Sequence, residues 1–266
     1  TALPTSREEN NFSKASFVEP SAERAKHPLI KGQTPELSLM ESDVGAAGLA
    51  AVWARENTRE AIWDAMARKE TYATSGTRLR VRVFGGWDFK PEEVVRPDFA
   101  RRGYERGVPM GGDLSKAPDG KATSFLIRAL RDPDGANLDR VQVIKGWLDK
   151  DGETHEKIWD VACGGREIVN GACDGDVGNT VDVADASYTN TIGEPVLSAH
   201  WVDPEFDPGL QAFYYVRVLE IPTPRWTAYD AKFFDVEMPE GTTMQLQDRA
   251  YTSPIWYSPP AKAGGG

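Results

Sequence analysis

The sequence predicts an α+β chain, in which the tail of an α/β unit is followed by an antiparallel β-sandwich. Three observations carry this. A short apolar run, Ala46 to Ala54, leads at once into the clearest helical pattern of the chain. Short alternating strands with turn residues between them fill the second half. Six of the eight tryptophans, Trp87, Trp147, Trp159, Trp201, Trp226 and Trp256, stand in that half, as a sandwich core requires.

The first forty residues are polar, with Pro4, Pro20, Pro28 and Pro35 spread through them, and read as irregular covering structure. From Gly45 to Ala54 the apolar run fits a strand buried on both faces, as in a parallel sheet. A helix is predicted over Thr58 to Lys69. Asn57 is its expected cap, Glu60 stands in capping-box position, Ala61, Ile62, Ala65 and Met66 share a face, and Arg68 and Lys69 suit its C-terminal dipole. Thr71 to Gly76 reads as a turn. Leu79, Val81 and Val83 alternate with Arg78, Arg80 and Arg82 in a strand with one wet face. Residues 87–123, rich in Pro and Gly, read as a long loop region holding one short element. Further strands are expected at Ser124 to Arg131, Arg140 to Trp147, His155 to Ala162, Val196 to Val202, Phe213 to Ile221 and Ala231 to Glu237. Asp132-Pro133-Asp134-Gly135 and Asp149-Lys150-Asp151-Gly152 are turns between them. No repeat of fixed period occurs.

Composition excludes several functions. The chain has 266 residues, 40% of them hydrophobic, and a mean hydropathy of −0.49. Its longest uncharged apolar stretch, Val44 to Ala54, is far below the roughly 20 residues that span a bilayer. Forty-one acidic against thirty-one basic residues give a net charge of −10, which repels nucleic acid and anionic membranes alike. Cys163 and Cys173 exclude a four-cysteine zinc site, and His27, His155 and His200 are too scattered for a histidine metal centre. The two cysteines flank a Gly-rich segment that a disulfide can close, a pairing that implies an oxidising compartment.

One strand and one helix cannot make a parallel sheet, so residues 1–70 read as the end of a larger α/β domain. The segment Gly48 to Met66, Gly-Leu-Ala-Ala-Val-Trp-Ala-Arg-Glu-Asn-Thr-Arg-Glu-Ala-Ile-Trp-Asp-Ala-Met, with Arg68 to Gly76, resembles the last barrel strand and helix of PHP-type (polymerase and histidinol phosphatase) metal-dependent hydrolases. It is closer still to the domain-of-unknown-function family 3604 (DUF3604), which is similar also at Phe84-Gly85-Gly86-Trp87-Asp88-Phe89. Further similar blocks are Asp139 to Trp147, Phe213 to Val218, Pro222 to Thr227 and Ala250 to Tyr257.

The resemblance makes residues 1–76 an incomplete PHP-like α/β barrel; the alternating strands and turns make 77–260 a β-sandwich with long loops, and the glycine-rich 261–266 is expected to be a disordered tail. The resemblance also implies that the metal ligands, an early His-x-His pair and a closing Asp-x-His among them, precede residue 1. The divalent metal would then belong to the complete protein, with none bound by this chain alone, and the isolated chain would be inactive. The implied partners are the upstream half of the same protein and a small anionic substrate.

Loops at the carboxyl ends of barrel strands converge on one opening. Arg7, Glu8 and Asn10, after the implied ligand motif, and Arg55 and Glu56, ending the implied last strand, are therefore the expected substrate-binding residues. Arginine can hold an anionic ester by paired hydrogen bonds. Asn57 is better explained as a helix cap. Tyr72, Thr74 and Ser75 are better explained by turn chemistry, since no His/Asp partner stands near Ser75. Asp174, Asp176, Asn179 and Asp182 lack the EF-hand spacing and read as a solvated acidic turn.

The expected function is the C-terminal portion of a PHP-like metal-dependent hydrolase acting on phosphoesters or related anionic esters, in a periplasmic or secreted setting. The alternative is a non-catalytic β-sandwich module that binds glycan or protein.

Overall fold

In the computed structural model, residues 21–34, 38–43, 45 and 48–260 are described, so the expected sites at Arg7, Glu8 and Asn10 and the expected tail 261–266 lie outside them. The elements in chain order begin with β1 (Pro28–Ile30), β2 (Leu39–Met40), β3 (Leu49–Val52), α1 (Arg59–Ala67), β4 (Thr71–Thr74) and β5 (Arg80–Gly86). They continue with α2 (Phe99–Arg106), β6 (Gly107–Pro109), β7 (Asp113–Ser115), β8 (Ser124–Leu130), β9 (Leu138–Leu148) and β10 (Thr154–Cys163). After β11 (Ile168–Val169), β12 (Ala172–Cys173), β13 (Val196–Val202), β14 (Ala212–Glu220) and β15 (Thr223–Pro224) comes α3 (Trp226–Phe234). β16 (Gln245–Leu246), β17 (Arg249–Thr252) and β18 (Ile255–Ser258) complete the series.

Two sheets face each other. The larger runs β10-β9-β14-β17-β4-β3, with β18 also on β14 and β7 beside β18; the smaller runs β13-β8-β5-β6. Neither closes into a barrel. Alternation explains the packing: Val141 and Val143 of β9 and Tyr214, Val216 and Val218 of β14 meet Phe125, Ile127 and Ala129 of β8 and Val81 and Val83 of β5 in one core. Behind the smaller sheet, Phe99 of α2 packs on Phe84 and Leu126. Gly103 is required there, because a Cβ would stand 2.3 Å from the Phe84 ring.

One edge of β14 is shared. Residues 217–219 pair with β17 and residues 212–214 with β18. At the join between them the Val216 N–H donates to the Thr252 hydroxyl at 3.0 Å.

The five central strands lie within two residues of their expected limits. Elsewhere the structure corrects the sequence. The run ending at Val52 is not a parallel strand buried on both faces. It pairs antiparallel with β4, Leu49 opposite Thr74 and Val52 opposite Thr71, and stands at the end of the larger sheet with Leu49 and Ala50 exposed. Only Ala51 and Val52 of the strand are partly covered. The expected turn at Thr71 is β4 itself, its Tyr72 and Thr74 buried. The helix begins one residue late, and its cap is Thr58, not Asn57: the Thr58 hydroxyl accepts the Ala61 N–H at 3.3 Å. Residues 87–123 hold a helix and two strands rather than one element. The expected strand Ala231 to Glu237 is mostly α3, which buries Trp226, Thr227, Ala228 and Asp230 and stops where Asp235 turns left-handed at φ 52°.

Candidate functional site

Arg55 and Glu56 follow β3 and are exposed; Glu56 accepts a hydrogen bond from the Thr58 hydroxyl at 3.3 Å. Neither lines the two cavities with Lys145 or with Arg225 on their walls. What the same segment does build is a buried ionic hub. Glu70, fully buried, lies between Arg68 at 3.3 Å and Arg82 at 3.7 Å and accepts the Tyr104 hydroxyl. Arg82 in turn stacks 4.3 Å over the Trp53 ring. Burial and the bond to Glu70 push the Tyr104 phenol up. These partners satisfy the carboxylate and tie α1 to the smaller sheet.

A second assembly sits between the sheets. Lys145 of β9 is 5% exposed, 2.7 Å from Asp203, and donates to the Glu205 carbonyl at 2.7 Å. The Tyr214 hydroxyl donates to Asp203 at 2.7 Å, and burial together with that carboxylate pushes the phenol up. A cavity of about 220 Å³ opens beside them, walled by Trp147, Phe206 and Leu210.

The third assembly is on the opposite face of the larger sheet. Phe213, Tyr215 and Arg217 alternate with the core residues of β14, and their partners across the strands carry the row sideways. Trp256 faces Phe213, and Tyr251 faces Arg217; these two rings are 45% and 37% exposed. Ring centroids follow at 5.1 Å from Trp256 to Phe213, 6.4 Å from Phe213 to Tyr215 and 6.4 Å from Tyr215 to Tyr251. Beside them, Arg217 donates to Gln142 at 2.6 Å and Gln142 to Asp160 at 2.7 Å. Burial pushes the Tyr251 phenol up, but hydrogen bonds from Arg249 and Arg217 outweigh it and bring it below its ordinary value.

The tryptophans divide accordingly. Trp87, Trp147, Trp159 and Trp201 pack with the core, Trp226 is buried in α3, and Trp256 stands on the open face. The sequence places Trp256 with the core tryptophans, and the structure corrects that: it is 45% exposed. The row as a whole draws on three strands, β14, β17 and β18, so no local pattern marks it.

Cys163 at the end of β10 and Cys173 in β12 are joined in a disulfide, Cα atoms 5.8 Å apart, which closes the loop that holds the β11–β12 hairpin. Asp160, Cys163 and Cys173 make up the one cluster of possible metal-ligating residues among those described, and both sulfurs are engaged in the bridge. With both sulfurs in the bridge, this cluster keeps one carboxylate, too few donors to hold a divalent ion. The histidines have separate partners: His27 with Glu41, His155 with Asp149, and His200 with the Phe89 carbonyl. In the acidic turn, Asn179 and Asp182 accept backbone N–H groups of Val181 and Asp185. No described helix is long and apolar enough to cross a membrane.

A family model described as "Protein of unknown function (DUF3604)" matches residues 1–259. No curated protein and no solved structure matches the chain.

Proposed function

We propose a role that begins from family: the chain belongs to DUF3604, and within that family it forms the β-sandwich portion of a PHP-like metal-dependent hydrolase. The substrates are phosphoesters or related anionic esters, and the metal ligands come from upstream of this chain. The outer edge of β3 carries the reading. Among the described residues β3 has β4 on one side and no strand on the other. It runs toward α1, whose Trp63 and Met66 are 69% and 47% exposed. An unpaired edge beside exposed apolar side chains is what a sheet shows where a neighbour belongs.

In this role Arg55 and Glu56, on the turn after β3, join Arg7, Glu8 and Asn10 in orienting the anionic substrate. The chain by itself is inactive. The disulfide accords with a periplasmic or secreted setting in a bacterium. The test is to express the gene together with its upstream coding region and to measure bound metal and phosphodiesterase turnover. A longer protein that carries no metal removes the enzymatic reading.

A second reading is a non-catalytic module that binds glycan or protein. The open aromatic row of Trp256, Phe213, Tyr215 and Tyr251 favours it.

A further inference from the structure

We propose that the outer face of the larger sheet is a platform for an extended, uncharged polysaccharide running over β18, β14 and β17. This rests on the second reading, the binding module, and gives it a ligand class and residues. Four rings in series provide the stacking surface. Phe213 and Tyr215 are within 15° of parallel, with Trp256 and Tyr251 tilted at either end.

Gly146 sets the posture of Phe213. A Cβ on Gly146 would stand 2.4 Å from the tip of the Phe213 ring, so the ring occupies the place of the missing side chain and lies along the sheet. Rings laid along a sheet offer their faces outward, and the C–H face of a pyranose packs against such a surface. The spacing of 5.1 to 6.4 Å is commensurate with one ring for each sugar of an extended chain.

Hydroxyl groups need partners beside the stack. Arg217, Gln142 and Asp160 form a planar row in cross-strand register, fixed by their own hydrogen bonds. Gln142 is buried and engaged at both ends of its amide, so it holds the half-buried Arg217 guanidinium and Asp160 carboxylate in place, and these two are the groups that meet neighbouring hydroxyls. Charge selects the class of polymer. Arg217, Arg140 and Arg249 stand at this row against Asp160, 3.8 Å from Arg140, and Glu156, opposite Gly146, and the chain carries −10 overall. An anionic polymer is disfavoured. A protein strand would seek an open sheet edge, whereas this row lies on the face of strands that are already paired.

The test is electrophoresis of the full chain in native gels containing hydroxyethylcellulose, xylan or alginate. The neutral polymers are expected to retard it and alginate is not. Trp256→Ala and Tyr251→Ala are each expected to weaken retardation about tenfold, as removal of an anchoring aromatic does. Gly146→Ala, which forces the Phe213 ring off the buried glycine beneath it, is expected to weaken retardation in a protein that still unfolds cooperatively, as a thermal melt run beside the gel shows. Undiminished retardation of the Trp256→Ala/Tyr251→Ala double variant overturns the platform and leaves the binding module standing. No retardation of the parent by either neutral polymer overturns the platform and, with it, the glycan half of the second reading. A dimer that Trp256→Ala dissociates, without retardation, makes the face a self-interface and overturns the proposal.

Discussion

The Asp160 carboxylate accepts the backbone N–H of Cys173 at 2.8 Å, so the disulfide-closed hairpin is pinned to the same row that joins Arg217 and Gln142. The bridge and the outer face of the larger sheet are therefore one mechanical unit.

Removing the bridge is expected to loosen both. Cys163→Ser/Cys173→Ser lowers stability by about 2–3 kcal/mol, the range for a short closed loop. Urea unfolding measures it. Mass spectrometry without reductant gives an independent check: the native protein yields no alkylatable thiol.

Glu70→Ala leaves Arg82, stacked on Trp53 and bonded to Tyr104, without its buried carboxylate. The expected loss is about 3–5 kcal/mol, as for one half of a buried ion pair. Denaturant midpoints that shift by less than a quarter of that contradict the hub.

Lys145→Ala strands the fully buried Asp203 side chain against Tyr214 and is expected to cost about 3–5 kcal/mol. Lys145→Met with Asp203→Leu removes both charges together. A double-mutant cycle should return a coupling of about 1–3 kcal/mol, because the two side chains share one network. A coupling near zero means that the pair acts independently.

Stability should also depend on pH through Glu220. Burial pushes this carboxyl up to about 8, opposed by the Thr77 hydroxyl, which donates to it at 2.6 Å, and reinforced by Asp248 and Asp132. The folded pKa exceeds the unfolded one, so the contribution is full below about pH 4.5 and is lost as pH rises through about 8. Across that window the parent should lose several kcal/mol relative to Glu220→Gln. Parallel pH profiles for the two proteins in thermal melts would disprove the shift.

β13 and β14 were legible because one face alternates into the core, and β8 and β9, covered on both faces, because compact apolar runs are bounded by turn residues. α2 was hidden for the opposite reason. Its sequence, Phe-Ala-Arg-Arg-Gly-Tyr-Glu-Arg, contains few apolar residues and a glycine, and Arg102 and Arg106 pair with Glu93 outside the helix. α3 reads as a strand from Ala231 onward because Phe233, Phe234 and Val236 favour one there; the buried Trp226 and Ala228 that fix its helical face lie N-terminal to that stretch. The antiparallel partner of β3 was illegible because a helix intervenes between two strands that nevertheless pair as a hairpin does. The outer row was invisible for a topological reason: Tyr215, Tyr251 and Trp256 meet only after β17 and β18 have both settled on β14.

At Thr252, a hydroxyl stands in for a main-chain carbonyl where one segment hands β14 over to the next. Continuity of the comb there depends on chemical identity and not on shape alone. Serine can keep the handover intact, whereas valine, equal in outline, leaves a main-chain hydrogen stranded in the interior. Two strands that come late in the chain thus behave as a single long one, spliced by one oxygen atom.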